Sequence, residues 1–150
     1  MALFYLDTSA LVKLYVREPG TEALLRLASS LHGHRFTTLS IAEVEFRSAI
    51  RRRERAGDLE RHVADQLIRR FENHLETRIL RQPLNESVLE TASALIDTYP
   101  LRAYDAVQLA GCLVLRAAAG RDQPVFVCAD IELLETATRL RLSTLNPAER

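Results

Sequence analysis

Four acidic residues stand where their side chains could do chemistry together. Three of them come at or shortly after the ends of predicted strands, and the fourth begins an otherwise apolar helix; they are Asp7, Glu43, Asp130 and Asp105. Because the carboxyl ends of parallel strands meet at one edge of a sheet, we expect these carboxylates to converge there. Crowded carboxylates stay ionised only beside a cation, or else some of their pKa values rise. An all-oxygen set without His or Cys favours Mg²⁺ or Mn²⁺ over zinc.

Helix capping is the competing explanation for each acid taken alone. Carboxylates are common at helix starts because they accept from free backbone N–H groups and favour the helix dipole. Ser40 and Glu43 have the spacing of a capping box, and Asp105 with Gln108 has a similar one. Asp130 could cap the helix that follows it. The metal interpretation therefore depends on the four acids together.

A metal bound at such a site indicates phosphoryl chemistry. Mg²⁺ held by carboxylates can activate a water and stabilise the charge that builds on a phosphoryl group. The hydroxyls of Thr8 and Ser9, together with helix N-termini at the same edge, would add donors for an anionic substrate. The sequence has no Ser-His-Asp spacing, Gly-rich phosphate loop or cysteine-nucleophile motif. Hydrolysis of a phosphodiester is therefore favoured over acyl transfer.

Arginines on one predicted helix could guide a nucleic-acid backbone. Arg47, Arg51 and Arg55 recur at every fourth position, and Arg52 and Arg53 extend the charge. Lys13 with Arg17 on the first helix could extend the track. A solvated helix face is the alternative, and it is the more common case. Because the chain has four Tyr, five Phe and no Trp, we expect recognition through backbone and shape rather than through base stacking.

Composition and periodicity predict one α/β domain over residues 1–150. The chain is 47% hydrophobic and carries twenty basic and twenty acidic residues, which is typical of a globular domain rather than of a disordered tail. Five short segments are predicted strands from their apolar or strand-forming composition: Ala2–Leu6, Arg35–Leu39, Thr77–Leu80, Pro124–Cys128 and Leu142–Leu145. Helical patterns alternate with them, at Ala10–Val16, Thr21–Ser30, from the Ser40 capping box to about Arg55, Leu59–His74, Glu86–Tyr99, Asp105–Ala119 and from Asp130 onward. This alternation indicates a parallel sheet with helices on both faces.

The sequence indicates a cytoplasmic protein that does not act in a membrane. No apolar run is long enough to span a bilayer, and the N-terminus reaches Asp7 without the basic start of a signal peptide. Cys112 and Cys128 both lie in apolar runs. We therefore expect buried, reduced thiols rather than a disulfide.

Four segments of the sequence occur in the order and at the separations of a known family. They are Phe4–Gly20 (FYLDTSALVKLYVREPG), Ser40–Glu45 (SIAEVE), Leu101–Ala110 (LRAYDAVQLA) and Val127–Asp130 (VCAD). The first and third are highly specific. The first closely resembles the N-terminus of PIN-domain ribonucleases, in particular the VapC-type toxins of bacterial toxin–antitoxin pairs. The resemblance extends over essentially the whole chain.

The resemblance implies a fold and an activity. The fold is a three-layer α/β/α sandwich around a central, mainly parallel sheet, and the activity is that of a hydrolase, an endoribonuclease dependent on Mg²⁺ or Mn²⁺. The family's acidic quartet maps onto Asp7, Glu43, Asp105 and Asp130. Asp7 and Asp105 would be the main metal ligands. Glu43 would orient metal or water, and Asp130 would reach the metal mainly through water.

The same resemblance implies partners. Members of the family cleave RNA, are typically homodimers, and are held inactive by a cognate antitoxin whose C-terminal segment occupies the active-site groove. Thr8 or Ser9 would assist near the site. We therefore expect RNA, an antitoxin protein and a second copy of the chain as partners.

Two features depart from the family pattern. Glu45 competes with Glu43 for the family's glutamate, and we favour Glu43 because Ser40 is expected to start the helix, which turns Glu45 roughly 200° away around it. The family often has a glycine in the loop before its last strand, whereas Arg139–Leu142 contains none. The form of that turn is therefore open.

Other classes of protein also place acids at strand ends. A phospho-acceptor receiver domain would need two adjacent acids after the first strand and a lysine near the last strand, but Lys13 is the only lysine. A haloacid-dehalogenase-like phosphatase would need an aspartate where Ser9 stands. A catalytically silent PIN-fold module that binds RNA or protein stays open as the alternative to the enzyme.

Overall fold

A five-stranded parallel sheet forms the centre of the structure, a computed structural model that describes residues 2–29 and 33–149. Its strands are β1 (Leu3–Leu6), β2 (Arg35–Leu39), β3 (Ile79–Gln82), β4 (Pro124–Val127) and β5 (Ser143–Leu145). They pair in the order β3-β2-β1-β4-β5, and every pairing in the described residues is parallel. The five predicted strands are confirmed, with β3 displaced toward the C-terminus.

Seven helices in the described residues connect the strands. They are α1 (Thr8–Val12), α2 (Thr21–Ala28), α3 (Ala42–Arg55), α4 (Arg61–Thr77), α5 (Glu86–Thr98), α6 (Ala103–Ala118) and α7 (Ile131–Arg139). Each predicted helix is present, although the first ends at Val12 rather than Val16. The predicted end of the second, Ser30, lies outside the described residues. Within residues 2–29 and 33–149, no helix combines the length and the apolar character needed to cross a membrane.

Alternating side chains of β1 contribute to two separate cores, one on each face of the sheet. Phe4 and Leu6 belong to a cluster that includes residues of α1 to α4, whereas Tyr5 belongs to a cluster that includes residues of α5 to α7. Successive residues of a strand point to opposite faces, so a strand covered on both sides is apolar throughout. All four residues of β1 are buried. Helices therefore cover both faces, which confirms the three-layer α/β/α sandwich.

The start of α3 differs from the predicted capping box. The backbone N–H of Ser40 donates to the carbonyl of Gln82 (2.8 Å), and its hydroxyl accepts from the N–H of Leu84 (3.1 Å). The N-cap of α3 is Ile41 instead. The capping-box prediction is wrong because the Ser40 hydroxyl binds the backbone of the segment after β3 and not the N-terminus of α3.

Burial of an apolar stripe sets the rotation of α3 about its axis. Ala42, Phe46 and Ile50 recur every four residues, and all three are fully buried. At about 100° per residue, Glu43 and Glu45 fall on opposite flanks of this stripe. The two glutamates therefore face different surroundings, and packing decides which of them reaches the edge of the sheet.

The loop before β5 contains a left-handed residue that is not glycine. Arg141 has a φ of 64°, and the next residue, Leu142, donates its N–H to the carbonyl of Ala137 (3.1 Å). This backbone region favours glycine because it has no Cβ. The turn that the sequence left open is thus closed by an arginine in the conformation that glycine adopts most easily.

Candidate metal centre

Asp7 lies directly after β1 and is the N-cap of α1. Its Oδ1 accepts from the Ala10 N–H (2.8 Å) and from the Ser9 hydroxyl (2.8 Å), and the residue is only 6% exposed. Burial raises the pKa of this carboxyl above its usual value, and the charge of Asp105 raises it further, while the bonds from Ala10 and Ser9 lower it. Asp7 is therefore a helix cap and a buried acid at the same time. The two interpretations of this residue do not exclude each other.

Asp105 and Asp130 approach the same region from α6 and α7. Asp105 lies in the first turn of α6, whose N-cap is Arg102, so the predicted capping pair of Asp105 with Gln108 is wrong. Asp130 caps α7 as expected, and its Oδ1 accepts from two backbone N–H groups at 3.0 and 3.2 Å. Burial, and then the negative charge of Asp130, raise the pKa of Asp105. Asp130 is thus close enough to influence the ionisation of Asp105.

The glutamate beside Asp7 is Glu45, and Glu43 lies elsewhere. Glu45 accepts a hydrogen bond from the hydroxyl of Thr8, the residue after Asp7. Glu43 pairs with Arg81 (2.5 Å) in a depression between α3, α4 and β3. Contrary to the expectation from the sequence, the structure brings Glu45 rather than Glu43 to the other three acids, because the buried stripe of α3 turns Glu43 toward α4.

Among the residues that the structure describes, Glu45 has two hydrogen-bond donors at one carboxylate oxygen and none at the other. Its Oε2 accepts from the Thr8 hydroxyl and from Gln108 Nε2 (3.3 Å). Its Oε1 is buried and has no hydrogen-bond partner among the described residues. Burial raises the pKa of Glu45 to about 7, although the bonds from Thr8 and Gln108 lower it. Near neutral pH a cation at Oε1 would therefore displace a proton and satisfy this oxygen.

One cavity of about 380 Å³ brings the acids together. Five carboxylates line it, and one of them, Glu18, is paired with basic side chains. The other four line it together with two hydroxyls of the first helix; these residues are Asp7, Glu45, Asp105, Asp130, Thr8 and Ser9. Asp7 follows β1 and Asp130 follows β4, and the strand order reverses between these two strands. Open parallel sheets bind ligands in the crevice at such a switch point. The cavity thus lies where the topology of the sheet predicts a site.

The donor set of this cavity suits a hard divalent cation. As far as the structure describes the chain, the lining contains neither histidine nor cysteine, and its metal-binding groups are carboxylate and hydroxyl oxygens. Over residues 2–29 and 33–149 there is no preformed cage of three or more such acidic, His or Cys groups. The oxygen-only donors and the buried, unpartnered Oε1 of Glu45 fit Mg²⁺ or Mn²⁺. The cavity therefore offers ligands for the expected ion without holding them in a closed shell.

Most of the basic residues predicted to bind nucleic acid lie outside this cavity. Arg47 and Arg51 pair with acids of α4 at 2.6 and 2.8 Å. Arg17 pairs with Glu22 on the surface at 3.5 Å. Neither these three arginines nor Arg55 lines the acidic cavity. Arg47 and Arg51 of the four-residue series therefore lie on the side of α3 that faces α4, and not on the side that faces the cavity.

Lys13, Arg52 and Arg53 supply the positive charge of the cavity. Lys13 and Arg53 both bind the Glu18 carboxylate, at 3.3 and 2.6 Å, and Lys13 is only 8% exposed. Arg52 lines the same cavity and is exposed. It follows Glu45 by seven residues, about two helical turns, and so shares its face of α3. The sequence placed Lys13 on the RNA track and Arg52 and Arg53 only in the added charge of the helix, since the four-residue spacing was followed instead of the rotation set by the buried stripe.

The fold and the cavity define an α/β/α protein with an acidic site at the switch point of a parallel sheet. The sequence profile of the PIN domain matches residues 4–123. Ribonuclease VapC46 of Mycobacterium tuberculosis is 33% identical over 149 residues, which cover 99% of this chain and 100% of that protein. The chain belongs to the PIN domain family, as its motifs indicated.

Three solved structures share the fold along nearly the whole chain. VapBC-1 from nontypeable Haemophilus influenzae has a TM-score of 0.66 at 18% identity, over 98% of this chain and 99% of that one. A toxin–antitoxin complex from Klebsiella pneumoniae has a TM-score of 0.65 at 16% identity, over 100% of both chains. PAE2754 from Pyrobaculum aerophilum has a TM-score of 0.56 at 21% identity, over 94% of this chain and 97% of that one. At these identities the likeness establishes the fold alone.

Proposed function

We propose that the chain is an endoribonuclease that depends on Mg²⁺ or Mn²⁺ and acts as the toxin of a toxin–antitoxin pair. The observation that carries the proposal is the meeting of four acids in one cavity, where one carboxylate oxygen has no partner among the described residues. Membership of the PIN domain family and 33% identity to a protein named Ribonuclease VapC46 support RNA as the substrate. Crowded carboxylates that repel one another are a cost that a silent binding module would not need.

The residues of the cavity have separate tasks in this mechanism. Asp7 and Asp105 are the main ligands, with Asp7 fixed by the Ser9 hydroxyl, and Glu45 offers its Oε1. Asp130, whose Oδ1 is engaged by backbone N–H groups of α7, acts mainly through water. When bound, Mg²⁺ or Mn²⁺ supplies the positive charge that activates a water and stabilises charge on the phosphoryl group.

Arg52 is the residue that we expect to hold the RNA backbone, and Arg53, which also binds Glu18, lies beside it. Both line the acidic cavity and also a second cavity that continues along α3 to Asp58, so the two cavities adjoin. A guanidinium group binds phosphate oxygens with two parallel hydrogen bonds, which a lysine cannot do. An RNA strand that follows this face of α3 would therefore arrive at the four acids.

An antitoxin protein is the partner proposed to restrain the activity. The solved structures from H. influenzae and K. pneumoniae are named as VapBC-1 and as a toxin–antitoxin complex, which supports this partner. A neighbouring short reading frame whose product silences the chain would be the corresponding observation in the genome. A homodimer, a cytoplasmic location and a single domain over residues 1–150 stay predictions.

RNA cleavage is expected to require a divalent cation. In EDTA the purified chain should leave a labelled RNA oligonucleotide intact, and excess Mg²⁺ or Mn²⁺ should start cleavage, because the ion neutralises the four acids and stabilises the phosphoryl charge. Denaturing gel electrophoresis of the products measures this. Cleavage that persists in EDTA would contradict the metal dependence. Absence of cleavage with either ion would favour the silent binding module.

Arg52→Gln is expected to weaken RNA binding and to reduce its salt dependence. Loss of one phosphate contact lowers the slope of log affinity against log salt by about 0.7 for a single strand. Fluorescence anisotropy of a labelled RNA at several salt concentrations measures this slope. Arg47→Gln is the matched control, because Arg47 lies on the same helix but pairs with Glu72 of α4. A slope for Arg52→Gln equal to that of the control would show that the RNA follows another path.

A further inference from the structure

Gln108 is a buried polar residue on the face of α6 that packs against the sheet. The residue is 1% exposed, and its neighbours Leu109, Ala110 and Cys112 are fully buried. Its carboxamide reaches side chains of β1, α1 and α3. A buried amide is costly unless its groups are bonded, and an apolar residue would serve packing alone. The amide is therefore expected to act on the groups that it contacts.

Three hydrogen bonds fix the orientation of this amide. The Tyr5 hydroxyl donates to Gln108 Oε1 (3.1 Å), while Gln108 Nε2 donates to Thr8 Oγ1 (3.1 Å) and to Glu45 Oε2 (3.3 Å). If the amide were turned over, its oxygen would face the Glu45 carboxylate, and neither group could donate when Glu45 is ionised. The Glu45 carboxylate thus sets the orientation of the amide, and the Tyr5 hydroxyl, which can donate or accept, satisfies the amide oxygen.

The absence of a side chain at Gly111 leaves room for the Tyr5 hydroxyl. A methyl group at position 111 would overlap this hydroxyl and would also crowd the Leu39 side chain. Gly111 lies in the interior of α6, where glycine weakens a helix relative to alanine. The chain therefore has a weaker helix at a position where a side chain would displace the hydroxyl that bonds to Gln108 Oε1.

We infer that Gln108 is a positioning residue of the metal centre, which holds Glu45 by Oε2 and thereby presents Oε1 of the same carboxylate to the cation. The inference rests on the proposed function, because it assigns a role at the same site. Thr8 and Gln108 both engage Oε2, which leaves Oε1 without a partner among the described residues. Gln108 itself is not part of the lining of the acidic cavity. It acts through Glu45 and not on the RNA.

Gln108→Met tests the inference, because methionine keeps the length of the side chain and removes its hydrogen bonds. Calorimetric titration of Mn²⁺ into the folded variant should give a Kd weaker than that of wild type by about 10-fold or more. Cleavage of a labelled RNA oligonucleotide should show a kcat reduced by about 10- to 100-fold, with an unchanged KM. A glutamine that served the fold alone would leave the Mn²⁺ affinity of folded protein unchanged, and that result would overturn the inference.

Gln82→Met is the matched control. Gln82 also donates from Nε2 to a threonine hydroxyl, that of Thr37 (3.0 Å), but it stands in β3 and outside the acidic cavity. Its Mn²⁺ affinity should equal that of wild type, and an equal loss in the control would overturn the inference as well.

A second variant covers the case in which Gln108→Met does not fold because the Tyr5 hydroxyl loses its acceptor. Tyr5→Phe/Gln108→Met removes both partners of that bond, and it should show the same loss of Mn²⁺ affinity. An unchanged affinity in the folded double variant would overturn the inference. A wild-type chain that neither binds Mn²⁺ nor cleaves RNA would overturn the proposed function, and the inference with it.

Discussion

Asp7→Asn is expected to lower RNA cleavage by at least about 10³-fold while the chain stays folded. Asparagine has nearly the shape of aspartate and is an equally good N-cap, so its side-chain oxygen can still accept from the Ala10 N–H and the Ser9 hydroxyl. The neutral amide, however, removes a negative charge that would hold the cation. The variant therefore separates the two tasks of this residue, and a gel-based cleavage assay with Mn²⁺ measures the loss.

The same variant should also make the cation-free protein more stable at neutral pH. Burial raises the pKa of Asp7 in the folded chain above its unfolded value, so the folded state holds the proton more tightly and loses stability as the pH rises through that pKa. Asparagine cannot ionise, so the variant does not lose this stability as the pH rises. Thermal unfolding in EDTA, followed by circular dichroism, should give a higher Tm for Asp7→Asn, and added Mn²⁺ should raise the Tm of wild type far more than that of the variant.

Asp7→Ala is the control for the cap. It removes charge and cap together, and loss of an N-cap costs about 1 kcal/mol, so it should unfold at a lower temperature than Asp7→Asn. Cleavage by Asp7→Asn within ten-fold of wild type would refute the role of Asp7 as a ligand. A lower Tm for Asp7→Asn than for wild type in EDTA would refute the account of its buried charge.

Glu45→Gln is expected to lower kcat by about 10²-fold or more, whereas Glu43→Gln should leave cleavage near that of wild type. Glutamine at position 45 can still accept the Thr8 hydroxyl, but its neutral side chain no longer offers a charged oxygen to a cation. Glu43 pairs with Arg81 at 2.5 Å, and both side chains are 40% exposed. Loss of an exposed pair of this kind costs at most about 1 kcal/mol of stability.

The two glutamate variants are a matched pair, because they change the same residue type two positions apart on one helix. Single-turnover cleavage at saturating Mn²⁺ compares them directly, and calorimetric titration of Mn²⁺ separates weaker metal binding from slower chemistry. The opposite result, with Glu43→Gln inactive and Glu45→Gln active, would show that the assignment from the sequence is right and the one from the structure wrong.

The strands and their neighbouring acids could be predicted from local patterns. β1 and β4 are covered by helices on both faces, so each appears in the sequence as a short uninterrupted apolar run. Asp7 and Asp130 follow these runs, and a helix start after a strand needs a capping residue. Both features depend only on residues that are adjacent in the sequence. The predicted positions of Asp7 and Asp130 therefore agree with the structure.

The choice between Glu43 and Glu45 could not be made from the same kind of pattern. Ser40 and Glu43 satisfy the spacing of a capping box, yet the chain after β3 engages Ser40. A different signal was present, because Ala42, Phe46 and Ile50 form a buried stripe that places the two glutamates on opposite flanks. The rotation of α3 follows this stripe, since burying three apolar side chains outweighs one capping bond.

The sequence by itself determined the alternation of strands and helices, the family, and the arrival of Asp7, Asp105 and Asp130 at one edge of the sheet. Only the tertiary structure decided that Glu45 and Arg52 face these acids, and that Gln108 meets Tyr5 across 103 residues of chain. Apolar runs and caps depend on residues that are close in sequence. The apolar stripe of α3 is visible in the sequence, but which flank of it meets the acids, and which groups a buried amide contacts, depend on packing between segments that are distant in sequence.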